Sequence, residues 1–145
     1  MTVRFYDSIN DKLIKFAVII SRSKGKWVFC KHKDRTTLEV PGGHREQGET
    51  AYEAAERELR EETGAVDFTI NPLCVYSVSE TENSEESYGM LYYAEIYTFE
   101  PELHSEIESI YLTDVLPDNW TYPLIQPELI REAIRREVFD FEELI

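Results

Sequence analysis

The stretch GGHREQGETAYEAAERELREETGA, residues 42–65, decides how this chain is read. Its second half is rich in Ala, Glu, Leu and Arg, the residues that lose least on entering a helix, and it predicts a helix over 50–63. Thr50 can accept a hydrogen bond from the first turn while Glu53, three residues on, returns one, so the start reads as a capping box. Gly64 is a natural stop. On such a helix, residues three and four apart share a face, so Glu58, Glu61 and Glu62 project together within one turn. Three neighbouring carboxylates repel one another and weaken a bare helix. A hard divalent cation takes oxygen ligands and cancels that repulsion. Arg57 has Glu53 and Glu61 at i−4 and i+4 and can hold a carboxylate in place. Pro41-Gly42-Gly43 ahead of the helix lets backbone approach a ligand closely. The segment is not a phosphate-binding P-loop: no GxxxxGK[ST] occurs. Composition alone favours a plainer reading, because glutamate-rich helices are usually solvated faces.

The spacing changes that balance. Gly43 is followed after five residues by Glu49, and after seven more by Arg57-Glu58, Leu59, Glu61-Glu62 and Gly64. This resembles the Nudix box, G-x5-E-x7-R-E-U-x-E-E-x-G-U, where U is a bulky aliphatic residue; Ala65, smaller than usual, stands at the last U. The resemblance implies hydrolysis of a nucleoside diphosphate linked to another moiety, with Mg²⁺ or Mn²⁺ as cofactor. It implies metal ligands at Glu58, Glu61 and Glu62, with Gly42 through its carbonyl and Glu49 at an outer position, and Arg57 orienting the box carboxylates. Gly43 is expected beside the substrate. The general base is expected within the box, at Glu95, which resembles a later metal-associated glutamate of MutT-like members, or in the acidic loop from Glu80 to Glu86, for which a solvated loop tip is the plainer reading. As an exposed strand charge, Glu95 would have no such role. Asn119, in LPDNWTYP, resembles in placement an asparagine that MutT-like enzymes use on a purine edge; a plain turn residue is the alternative. Trp27, Tyr76, Tyr92 and Trp120 can stack a base, although aromatics more often fill cores.

Around the box, strands are expected over 13–21, 27–32 and 36–40, then one or two over 68–79 with a Pro72 interruption, and others over 88–99 and 107–112. Residues 80–87 read as an acidic loop, and 127–139 as a second helix from the spacing of Leu129, Ile130, Ala133 and Ile134. The order predicts an α/β fold, a Nudix-type α/β/α sandwich with a mixed β-sheet, forming a single domain over 1–145.

Composition agrees with a globular chain: 145 residues, 42% hydrophobic and 12% aromatic. Net charge is −14, from 29 acids against 15 bases, which repels nucleic acid and anionic membranes. The partner expected is therefore a nucleotide-type small molecule whose phosphates reach the protein through a cation, with no nucleic acid and no membrane. The start of the chain lacks the basic-then-apolar layout of a signal peptide, and a cytoplasmic location is expected. Cys30 and Cys74 lie in apolar stretches and read as buried free thiols. Strand-rich flanks could pair two copies as a homodimer. For the substrate, the proline or tyrosine that marks ADP-ribose or dinucleoside polyphosphate hydrolases shortly past the box is absent: Ser79, Glu80, Thr81 and Glu82 stand there. A MutT-like nucleoside triphosphate pyrophosphohydrolase, acting on an oxidised purine dNTP such as 8-oxo-dGTP, is thus the first expectation. The alternatives are hydrolysis of another nucleotide derivative (nucleotide sugar, ADP-ribose, dinucleoside polyphosphate), a non-catalytic nucleotide-sensing domain, a metal-binding acidic scaffold, and isomerase chemistry needing an active-site cysteine.

Overall fold

Alternating and β-branched runs give seven strands in one sheet in the computed structural model, which describes residues 1–101 and 107–136. The strands are β1 (Thr2–Tyr6), β2 (Ile14–Ser23), β3 (Lys26–His32), β4 (Gly42–His44), β5 (Ala65–Ser79), β6 (Ser87–Phe99) and β7 (Ile107–Thr113); the helices are α1 (Ala51–Thr63) and α2 (Gln126–Arg135). The order across the sheet is β1-β5-β6-β2-β3-β7, with β4 paired to β2. Only β2 and β6 run parallel; the other pairs are antiparallel, so the sheet is mixed.

The helices cover opposite faces because each carries one apolar stripe. On α1 the stripe is Ala51, Ala54, Ala55 and Leu59. Ala54, Ala55 and Leu59 pack with Ala17, Ile19, Val28, Tyr92, Ala94 and Ile96 of the sheet. Alanines let the helix axis approach closely, and burying Leu59 fully contributes about 2 kcal/mol. On α2, Leu129, Ile130 and Ala133 pack with Val18, Ile20, Phe29, Tyr76 and Leu91 on the other face. No helix among the described residues is long and apolar enough to cross a membrane.

The structure departs from the expected elements in three places. A strand at Thr2–Tyr6 precedes the first one expected; Val3 and Phe5 alternate into the α2-side core while Thr2–Tyr6 pairs with Val75–Ser79. Residues 36–40 make only isolated bridges, Cys30 to Glu39 and Leu38 to Trp120. The strand before α1 is instead Gly42–His44, because β3 leaves β2 after two register pairs and frees Phe16–Val18 to bond β4. Of the one or two strands expected over 68–79, the structure makes one, β5. Pro72 is tolerated because β1 reaches only Val75–Ser79, leaving Pro72 on a free edge, with a register shift against β6 just after it. Finally, α2 is Gln126–Arg135, and 137–139 of the expected helix lie outside the described residues.

Candidate active site

The sheet and α1 together fix the glycine loop. Pro41 O accepts from Ile19 N at 2.9 Å, which seats Gly42 against Val18 and Gly43 against Ala17. A side chain at Gly42 would meet Ala17 O at 2.7 Å, and one at Gly43 would meet the Glu58 carboxylate at 2.6 Å. Glycine is required at both positions by close approach, the first to backbone and the second to a functional side chain.

The caps hold α1 in register with that loop. Thr50 and Glu53 make both bonds of a capping box, and Gly64 ends the helix in the left-handed conformation. Glu53 is therefore committed to the cap and is not a partner of Arg57. Arg57 instead grips Glu49 with two bonds, Nε to Oε2 at 2.7 Å and Nη2 to Oε1 at 3.0 Å. It also reaches His44 O at 3.0 Å, Glu58 Oε1 at 2.7 Å and Glu61 Oε2 at 3.5 Å. One guanidinium thus joins the loop backbone to three glutamates. Glu49 Oε1 further accepts from Glu46 N at 2.9 Å, so both of its oxygens are engaged in shaping the loop. The Arg57 bonds hold its carboxyl down at about 2. Arg45 closes the loop from outside, bonding Glu49 O at 2.6 Å and Asp11 Oδ2 at 2.8 Å.

Glu58 and Glu62 experience the opposite. Both carboxyls are raised, primarily by burial, and each feels the other. Glu62 Oε1 accepts from Gly42 N at 2.7 Å, and its Oε2 lies 3.1 Å from His32 Nε2. Glu61 is half exposed at the rim. The donors are all oxygen, the type a hard divalent cation takes, although among the described residues no three acidic, His or Cys side chains are gathered closely enough to hold an ion as they stand. Glu58, Glu61 and Glu62 are the side chains that would hold one, beside the Gly42 backbone.

Two residues that sequence reading passed over, Glu39 and His32, complete this region. Glu39 is buried, 3.5 Å from His32 Nε2, and takes a 2.9 Å bond from Arg35. A glutamate between Leu38 and Val40 directly before Pro-Gly-Gly was the available signal. Cys30 is fully buried, and burial together with Glu62, Glu39 and Glu58 pushes its thiol well up. Cys30 and Cys74 are both free and buried, as expected.

A cleft of about 660 Å³ opens beside the loop. Phe16, Val18, Tyr76, Tyr122 and Gln126 line it with Gly42, Gly43 and His44, and residues of the 80–87 loop form the far wall. Gln126 Oε1 takes the Val40 N–H at 2.9 Å, tying α2 to the strand-like segment before the box. Glu95 and Asn119 are not brought to this place. Glu95 pairs in register with Arg22 and Thr69. Its neighbours Ala94 and Ile96 pack toward α1, so alternation puts Glu95 on the same side of the sheet as Val18 and Tyr76, but far along the strand from them. From Ala17 to Arg22 the strand also runs about 16 Å beyond the glycine loop. Asn119 is exposed, and its amide bonds Thr36 O at 3.2 Å while its carbonyl takes Leu38 N at 2.9 Å. It latches the 36–40 segment and does not line the cleft. Of the four aromatics, only Tyr76 lines it. Trp27 stacks under Arg22, Tyr92 meets Tyr52 on the α1 side, and Trp120 packs edge-on to Phe29.

Comparison with known proteins agrees with this geometry. The family model described as the NUDIX domain matches residues 11–144. YtkD of Bacillus subtilis (strain 168), a proposed 8-oxo-dGTP diphosphatase, is 37% identical over 106 residues, which are 72% of this chain and 65% of that protein. The match thus spans somewhat less than two thirds of that relative's length. The crystal structure of the Bacillus subtilis pyrophosphohydrolase BsRppH superposes with a TM-score of 0.77 at 27% identity, covering 95% of this chain and 93% of that one. A NUDIX hydrolase from Nitrosomonas europaea shares the fold, with a TM-score of 0.68 at 19% identity over 91% of this chain and 96% of that one. The chain belongs to the NUDIX family.

Proposed function

We propose that residues 1–145 act as one hydrolase domain that cleaves the diphosphate linkage of a nucleotide with Mg²⁺ or Mn²⁺, and that the preferred substrate is a nucleoside triphosphate of the oxidised-purine type, such as 8-oxo-dGTP. The observation that carries the reading is the pair Glu58 and Glu62: two carboxylates raised by burial, pressed together at the edge of a cleft whose loop is cut back to glycine. A bound divalent cation supplies charge neutralisation for the diphosphate and an acidified water. The chain's own part is positional. Arg57 fixes Glu58 against the loop, Glu49 anchors Arg57, and Gly42 N–H orients Glu62. Glu49 then serves as an organiser of the box and not as an outer metal ligand. The proton of the attacking water goes to a box carboxylate, Glu95 lying five residues along β2 from the pairing of Ala17 with Gly43.

The aromatic and aliphatic side of the cleft, Phe16, Val18 and Tyr76, suits the base. Its described lining contains no lysine or arginine, so the phosphates belong at the box, where cations gather. YtkD's name supports the purine substrate, and BsRppH's supports pyrophosphate release. Isomerase chemistry is disfavoured because Cys30, although near the box, is sealed from solvent and held protonated.

A substrate panel tests the reading: 8-oxo-dGTP, ordinary dNTPs, ADP-ribose, diadenosine polyphosphates and nucleotide sugars with Mg²⁺ or Mn²⁺, in the wild type and Glu61→Gln. The expected result is metal-dependent turnover, greatest on the oxidised purine triphosphate and lost in the variant. Absence of turnover across the panel contradicts catalysis and brings the nucleotide-sensing reading forward.

A further inference from the structure

The far wall of the cleft is set in place by a side chain that does not touch the cleft. Ser79, Glu80, Ser84, Glu85 and Ser87 line it, but Glu86, between two of them, points toward the sheet. Its Oε1 accepts from Ser77 Oγ at 2.8 Å, from the Tyr6 hydroxyl, and from Arg4 Nη1 at 3.4 Å; its Oε2 accepts from Tyr88 hydroxyl at 2.6 Å. Donors from β1, β5 and β6 therefore converge on one loop carboxylate. A second set of bonds shapes the tip: Arg4 Nη2 to Glu82 O at 2.9 Å, Ser79 Oγ to Thr81 O at 2.8 Å, and Thr81 N to Ser84 Oγ at 3.1 Å. A short acidic loop in a chain of net charge −14 would otherwise be repelled from its neighbours and mobile. β1 gives this arrangement its outer support, since Arg4 and Tyr6 face the loop while Val3 and Phe5 enter the core.

The wall so fixed offers hydroxyls and carboxylates, whose oxygens accept from N–H and O–H groups, and its carboxylates repel phosphate. We propose that Glu86 is a positioning residue for substrate selection: it locks the 80–87 wall so that its acceptors meet the donor-bearing nucleoside end of the substrate. This rests on the nucleotide-hydrolase reading above. Because Glu86 acts through the wall and not at the phosphates, its loss weakens nucleoside recognition and leaves the chemical step intact.

The test uses the full chain as wild type, Glu86→Ala, Glu86→Gln and the milder Tyr88→Phe. KM and kcat are measured on the best substrate of the panel. Binding of its monophosphate product (dGMP if nothing is turned over) is measured by calorimetry, and amide exchange is followed over 80–87. The expected result for Glu86→Ala is a KM and product Kd raised about tenfold, kcat within about twofold, and faster exchange confined to the loop. Glu86→Gln, which keeps an acceptor, and Tyr88→Phe, which removes one donor, fall between. Unchanged exchange in Glu86→Ala shows that Glu86 does not order the wall and overturns the proposal. So does faster exchange with unchanged KM and Kd, or a kcat loss at constant KM. If the wild type turns nothing over, the hydrolase reading fails separately, while dGMP affinity still decides this one: a Kd that moves with Glu86 sustains it, and an unmoved or undetectable Kd ends it.

Discussion

The centre of the box and the β5–β6 loop put glutamates under opposite conditions. Glu86 and, at the mouth of the box, Glu49 are saturated with donors and held down at about 2. Glu58 and Glu62 are pushed up, with burial outweighing the bonds they receive. Carboxylates of the first kind are used up in building the protein. Those of the second kind are buried beyond what their bonds offset, a cost the fold tolerates where an external cation is to be taken up. The difference separates residues that shape the site from residues that work in it, although the sequence writes all of them as glutamate.

The largest effects expected from this contrast come from the two glycines. Gly43→Ala places a methyl against the movable end of Glu58, so the chain folds while kcat/KM falls about 100-fold. Gly42→Ala meets the fixed backbone of Ala17 and lowers stability by about 1–3 kcal/mol. Thermal unfolding and steady-state kinetics on both variants would break the comparison if Gly43→Ala lost stability and kept activity. Next in size, Arg57→Lys cannot hold Glu49 with two bonds and Glu58 with a third. A kcat/KM loss of about tenfold with a modest fall in Tm is expected; full activity would show that the box carboxylates orient themselves.

The smallest effect sharpens the electrostatics. Glu62 titrates in the metal-free fold at about 8 against 4.5 ordinarily, so the folded chain holds a proton that the unfolded chain has released. Its contribution to stability is present below 4.5 and is lost as pH rises through about 8. A bound divalent cation favours the ionised form and offsets this loss. The Mg²⁺-induced rise in Tm should therefore grow between pH 6 and pH 9, by a few degrees. A shift independent of pH would place the ion away from Glu62.

Much of this was legible in residues 42–65, because caps, helical spacing and the glutamate register are all local properties. Thr50, Glu53, Arg57 and Gly64 stand where their chemistry requires regardless of the rest of the fold. What sequence could not supply depended on partners far along the chain. The face of Glu95 follows from the parity of β6 against α1, and the role of Asn119 from its meeting with Thr36. Glu39 and His32 approach Glu62 only because β3 diverges from β2 and admits the 36–41 segment. β1 is short, and the part played by Arg4 and Tyr6 follows only from their meeting with Glu86 across the sheet.

The most direct test of the central claim is calorimetric titration of Mg²⁺ or Mn²⁺ into the wild type and Glu62→Gln, with thermal unfolding of both before and after metal. Removing a buried ionisable group while keeping an acceptor for Gly42 N–H should leave the variant without metal as stable as the wild type or more so. Metal binding should weaken at least tenfold, and the metal-induced Tm shift should vanish. A variant that binds the ion as tightly as the wild type, or is destabilised without metal, would contradict the account.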